Sequence, residues 1–359
     1  MVAGTLLLGG ASLLAQCWEQ GAGVPTGLYP RRGVALAYHA GIARVVMFGG
    51  LDGNAAYGDT WLYDGVAWVQ GASGPPGRSG NQLSYDSARG RMVVFGGVNA
   101  FDVYFNDTWE FDGAAWSAGP APAPLLFPRA NYGMDYDAGL QRVVLFGGND
   151  TTLNYNDTWQ YDGAAWVQAA SAPPGLTPRS SVSMAYDSAR GVSVLFGGDT
   201  GGGAFSNETW EYGGSQWSAG PAAPAGLFPR GSLGMTYDAA RARMVLFGGW
   251  NIGTKFDDTW EFDGAAWTPQ AAAPAGLTPR YAFGIAYDAV RASVVLFGGF
   301  DTDELDDTWE YPGGCCPVIT LSPATPWRDA ECLLQPDDRR DGGRRSLHLR
   351  RGGGVPSPA

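Results

Sequence analysis

Arg142-Val-Val-Leu-Phe-Gly-Gly148 is followed by a loop of mixed character, then Asn156-Asp-Thr-Trp-Gln-Tyr161, the pair Asp162-Gly163 and Ala165-Trp-Val-Gln168. The first run is apolar throughout, as a strand covered on both faces is, and its terminal glycines allow backbone angles or close approaches that a side chain would block. Asp-Gly between two short strand-like runs is a hairpin signal, with Asp suited to the turn because its side chain accepts nearby backbone N–H groups. Upstream, from Pro128-Arg129, the large residues Tyr132, Met134 and Tyr136 alternate with Asn131, Gly133 and Asp135. That period of two describes an inner strand with one large and one small face. Four strands, each antiparallel to the next, therefore fit into one short segment.

The segment recurs. Phe-Gly-Gly begins at Phe48, Phe95, Phe146, Phe196, Phe247 and Phe297, with gaps of 47, 51, 50, 51 and 50 residues. Each copy carries the upstream Pro-Arg (Pro-Gly-Arg in the second), the alternating run ending in Tyr, and the downstream Asp/Glu-Thr-Trp. A repeat near 50 residues with four strand signals is one propeller blade. In register, these motifs resemble kelch repeats of the bacterial type related to the galactose oxidase central domain, over roughly residues 16 to 311. The fold expected is all-β: a six-bladed kelch-type propeller with four antiparallel strands per blade. On the small faces of the inner strands, Gly, Ala, Ser, Asn, Gln, Thr or Asp are expected because six wedge-shaped sheets converge on an axis.

Ring closure can be read from one tryptophan. Fourth-strand Trp residues stand at 68, 116, 166, 217 and 267, and Cys316 occupies the place of the sixth. Trp18 lies as far before Arg31 as Trp116 lies before Arg129, so Gln16–Gln20 is in phase to complete the last blade and remove the free edges of an open ring. The rival is a local strand at 317–321. The domain boundaries expected are 1–15 as an apolar leader or a decayed strand copy, 16–321 as the propeller, and 322–359 as a Pro-, Gly- and Arg-rich disordered tail. All four cysteines lie at this seam or beyond it, and a bridge from Cys17 to Cys315 or Cys316 would close a loop whose chain-entropy contribution exceeds roughly 4 kcal/mol. Free thiols are the alternative.

Composition narrows function more by exclusion. The net charge is −12 and six of 23 basic residues fall in Arg339–Arg351, so the propeller body is strongly acidic and repels nucleic acid and anionic membrane. The chain has two histidines, His39 at a turn position that is Asp in the other copies, and His348 in the tail. A copper-radical oxidase like galactose oxidase needs a histidine and tyrosine cluster, and hydrolytic triads need a base. Neither is present, and no cofactor or metal site is expected. The Arg residues at 31, 78, 129, 179, 230 and 280 face acids at 59, 107, 157, 208, 258 and 307 on one rim. Equal numbers in strict recurrence favour ion pairs over a cationic mouth.

The long loops fall on that same rim, where a repeat protein keeps its variable binding surface. There Trp250 and Phe300 stand outside the pattern, with Asn149, Asp150, Asp199, Asn251, Asp301, Asp303 and the extra-pattern Arg32 nearby. Aromatic faces beside short polar groups suit a peptide, protein or glycan; the competing reading is that Trp250 and Phe300 plug the channel mouth. The acids at 301–307 lack the spacing of a calcium loop and read as a solvated segment. The function expected is a monomeric, non-enzymatic binding or scaffold propeller, secreted or in the cell envelope, without membrane insertion of the folded domain. A carbohydrate-active enzyme such as a kelch-type sugar mutarotase is the first alternative, signalled by unpaired Arg and Glu at an open pocket; a purely structural surface protein is the second.

Overall fold

The alternating run of the third unit becomes the inner strand Gly133–Asp137, followed outward by Arg142–Phe146, Thr158–Tyr161 and Trp166–Gln168. The computed structural model describes residues 18–169 and 171–312. Within them six four-stranded antiparallel sheets repeat this order as the blades of a propeller. Expectations for residues 1–15, for a bridge from Cys17 to Cys315 or Cys316, and for the tail from 322 lie outside the described residues.

Each second strand sits between two neighbouring sheets, which is why its apolar run is unbroken. Val143 and Leu145 pack in a cluster with Val93 and Phe95 of the preceding blade, while Val144 and Phe146 pack towards the following one. All four are fully buried. The small face of the inner strand has a different cause from the one expected. A Cβ on Gly133 would meet Met184 at 2.9 Å, and one on Gly284 would meet Leu36 at 2.2 Å. Small residues are therefore required by the large face of the next blade's inner strand, not by crowding at the axis.

The glycine doublet is an inter-blade joint. The first glycine has a left-handed φ, and a Cβ on Gly147 would stand 2.7 Å from the Arg179 carbonyl of the next blade. That same carbonyl accepts the N–H of the second glycine, Gly148, at 3.0 Å. The joint recurs round the ring and closes at Gly299 N–H to Arg31, 2.9 Å. Nearer the start of the inner strands, Gly33, Gly80, Asn131, Ser181, Ser232 and Ala282 all adopt left-handed φ angles. Each donates its N–H to the corresponding carbonyl of the blade before it, so that six backbone hydrogen bonds of 2.6–3.0 Å make a closed circle.

Closure follows the register of Trp18. Glu19–Gln20 pairs antiparallel with Glu304–Tyr311 as the outer strand of the sixth blade. Trp18 is 1% exposed and packs on Phe247 and Tyr311, with both ring centroids at 5.2 Å. Its indole N–H donates to Thr259 Oγ1 of the fifth blade at 2.9 Å. The same bond from an outer-strand Trp to the Thr-Trp threonine of the preceding blade is made by Trp68, Trp116, Trp166, Trp217 and Trp267. The threonine of the repeat thus accepts an indole N–H from the next blade, and Trp18 completes the circle.

Candidate functional site

Two rims differ in their connections. Short turns such as 137–142 and 161–166 lie on one, and the longer loops that follow each glycine doublet lie on the other. In the fourth and fifth blades these loops fold as hairpins, Asp199–Gly201 with Ala204–Phe205 and Trp250–Asn251 with Thr254–Lys255. In the sixth the blade strands themselves extend, as Ser293–Phe300 and Glu304–Tyr311.

Beneath the loops the repeat arginines are anchors. Arg31, Arg78, Arg129, Arg179 and Arg280 reach Asp59, Asp107, Asp157, Glu208 and Asp307 at 2.5–2.8 Å, and Arg230 pairs likewise with Asp258. Their side chains are buried, and each also donates to the carbonyl of the first glycine of its own blade's doublet, as Arg129 does to Gly147 at 3.1 Å. The acid in turn accepts the indole N–H of the Trp two residues on, 2.7 Å for Trp159 to Asp157. A guanidinium satisfied by a carboxylate and carbonyls is not available to a ligand, so the mouth is not cationic.

Above the anchors, the residue after each Arg bridges to the residue after each doublet: Arg32 to Leu51, Ser79 to Val98, Ala130 to Asn149, Ser180 to Asp199, Gly231 to Trp250 and Tyr281 to Phe300. Half of this circle is small or polar. The other half is an aromatic arc, in which Phe205 meets Trp250 edge-on at 5.3 Å and Tyr281 lies 5.5 Å from both Trp250 and Phe300. Arg32 ends the arc with its guanidinium 4.8 Å from the Phe300 centroid. Its partner is Glu304 at 3.6 Å, and Lys255 ties the fifth blade to the sixth through Asp301 at 2.7 Å. The arc residues are half-buried, with faces left to solvent.

The KLHDC2/KLHL20/DRC7 Kelch-repeats domain family matches residues 164–312. That match and the six-bladed fold support a kelch-repeat β-propeller. No curated protein matches it.

Of the residues singled out in the sequence of this kelch propeller, the fold gathers Trp250, Phe300, Arg32 and Asp301 along the arc. Asn149, Asp150 and Asp199 stand in the third and fourth blades, each engaged locally. Asn149 accepts from Asn131, and Asp199 Oδ1 accepts the Gly201 N–H. Burial works against ionisation of Asp150, but hydrogen bonds from the Tyr155 hydroxyl and the Thr152 and Leu153 N–H groups outweigh it and hold the carboxyl at about 2. Asn251 donates to the Pro229 carbonyl, and Asp303 is an exposed turn residue whose carbonyl accepts the Asp301 N–H. Tyr281 and Phe205 were not anticipated; Tyr281 was legible as a departure from the small residue that follows the repeat Arg in most other blades.

The short-turn rim carries a second network that sequence reasoning also missed. Arg89, Arg190, Arg241 and Arg291 each bind the Asp of their own turn and the Glu that follows Thr-Trp. Where Ile42 or Leu140 replaces the arginine, Leu62 or Gln160 replaces the glutamate. His39 belongs to the apolar version: it is buried, its ring lies 4.6 Å from Tyr85, and burial lowers its pKa.

Inside the ring is a cavity of about 340 Å³ lined by inner-strand residues of all six blades. Neither Trp250 nor Phe300 lines it. Among the described residues, no helix is long and apolar enough to cross a membrane, and no three His, Cys, Asp or Glu side chains are grouped to hold a metal ion.

Proposed function

We propose that this propeller is a non-enzymatic binding module that takes an extended peptide or protein segment across the arc Phe205, Trp250, Tyr281, Phe300 and Arg32. The arc is the observation that carries the reading: four aromatic side chains in contact, half-buried, beside the charged pairs Arg32–Glu304 and Lys255–Asp301. Rigid aromatics offer large contact area at small entropic cost, and neighbouring charges orient a chain laid over them. A kelch propeller is consistent with a protein-binding scaffold. The exposed loop tips Phe101, Leu153 and Ile252 add apolar surface around the same rim. The enzyme reading called for unpaired Arg and Glu at an open pocket, whereas the six repeat arginines of the mouth are paired. Placement in the secreted or cell-envelope compartment rests on the sequence of residues 1–15.

A peptide and glycan array read with the purified chain and with Trp250→Ala/Phe300→Ala tests this. Loss of all peptide signals in the double variant, with a melting curve close to wild type, supports the arc. Unchanged binding by a folded double variant overturns it, and signals confined to glycans would reassign the ligand class.

A further inference from the structure

The inner-strand position that precedes the conserved-register tyrosine is Ala37, Ser84, Asp135, Ala185, Thr236 and Ala286 in the six blades. Asp135 is thus an acid where the repeat asks for a small neutral residue. It lines the central cavity, and among the described residues that line it Asp135 is the charged one. The cavity reaches the exposed turn residues Ala138 and Ala239, so it opens on the short-turn rim, away from the aromatic arc. Six tyrosines, Tyr38, Tyr85, Tyr136, Tyr186, Tyr237 and Tyr287, line it as well.

The carboxylate accepts the backbone N–H of Tyr136 on Oδ1 and of Tyr186 on Oδ2, both at 2.8 Å. The Ser84 hydroxyl of the second blade supplies a further bond, and of the four or so acceptor directions of a carboxylate one remains for something else. The contact between blades does not require the acid, because Ala, Ser or Thr suffices at every other interface. No cation lines the cavity among the described residues. Burial raises the Asp135 pKa to about 6, the mark of a carboxylate that lacks a counter-charge.

We propose that the central channel is a binding site for an alkylammonium head group, held by the Asp135 carboxylate within the ring of six tyrosines. An ammonium placed there supplies the missing charge, while aromatic faces attract its positive hydrogens or methyl groups. The cavity volume suits a small ligand with one charge and a short apolar body. The acidic body of the propeller concentrates cations at its mouth. The site is separate from the arc and stands or falls independently of it.

Calorimetric titration of the full chain with butylammonium chloride, butan-1-ol and sodium chloride at matched ionic strength tests the proposal. Of the titratable groups around it, Asp137 acts on Asp135 directly, the six tyrosines share its cavity, and Asp86 and Asp187 act on Tyr136 and Tyr186. Asp86 and Asp187 are ion-paired to Arg89 and Arg190, and Asp137 accepts the Leu140 N–H. The expected result is saturable binding of butylammonium near neutral pH, at least about tenfold weaker for Asp135→Thr, a residue the fifth blade already accommodates. Affinity should fall about tenfold for each pH unit below about 6, as the proton competes for the carboxylate. Titration with a lysine-bearing peptide distinguishes a protein-borne head group from a free amine. Equal affinity in Asp135→Thr, equal binding of the alcohol, or no saturation up to about 10 mM amine would overturn the proposal.

Discussion

Trp18→Ala is the sharpest test of how the ring is closed. The indole is buried against Phe247 and Tyr311 and donates to Thr259, which is itself 2% exposed. Truncating a buried Trp to Ala costs about 3–5 kcal/mol, and the orphaned threonine hydroxyl adds about 1 kcal/mol. The internal standard is Trp267→Ala, whose indole packs on Phe196 and Phe262 at 5.1 and 4.9 Å and donates to Thr209 at 2.9 Å. Because the two environments match, the two losses should agree within about 1 kcal/mol, each lowering the melting temperature by about 10 °C. Urea unfolding followed by far-ultraviolet circular dichroism gives both midpoint and slope, and the slope should stay constant. A loss under about 1 kcal/mol for Trp18→Ala beside one above about 3 kcal/mol for Trp267→Ala would show that the N-terminal strand does not carry the seam.

Three other perturbations probe different contacts. Ala282 has φ 55° in the backbone circle, so Ala282→Gly should stabilise by about 0.5–1 kcal/mol in the same urea assay, and a loss would contradict the left-handed cost assigned there. Ile42→Arg alone should destabilise by about 1–3 kcal/mol, because Leu62 and His39 offer the guanidinium no carboxylate; adding Leu62→Glu and His39→Asp should recover most of this, and no recovery would deny that the short-turn network is a unit. Asp135 has a folded pKa of about 6 against about 4 unfolded, so its ionisation penalises the fold as pH rises between those values. Asp135→Thr should therefore be more stable than wild type at pH 7, by on the order of 2 kcal/mol, with the gap closing near pH 4; parallel pH profiles would refute the shift.

Much of the architecture was legible because each blade repeats the same local conflict and solves it the same way. The Phe-Gly-Gly spacing gave the blade count, the phase of Trp18 gave the closing strand, and the equal recurrence of Arg and Asp gave the ion pairs. The small face of the inner strand was recognised with the wrong cause, since its neighbour in the next blade lies a whole repeat away for Gly133 and Met184, and nearly the whole ring away for Gly284 and Leu36. The site was legible only in part. Trp250, Phe300 and Arg32 announced themselves by breaking the pattern, but of the acids grouped with them Asp150 and Asp199 proved to be bonded to their own loops, while Asp301 is tied to Lys255 of the fifth blade.

Periodicity by itself determined the fold, because strand alternation, glycine doublets and turn pairs are local signals repeated in register. Tertiary structure alone decided which side chains share a surface. It joined Phe205, Trp250, Tyr281, Phe300 and Arg32 into one arc from four blades, the first and the last of them at opposite ends of the chain. It also set Asp135 facing the channel beside tyrosines of every blade. A ring brings equivalent positions of successive repeats together laterally, so the chemistry of its rims and channel depends on neighbours that no window of sequence contains.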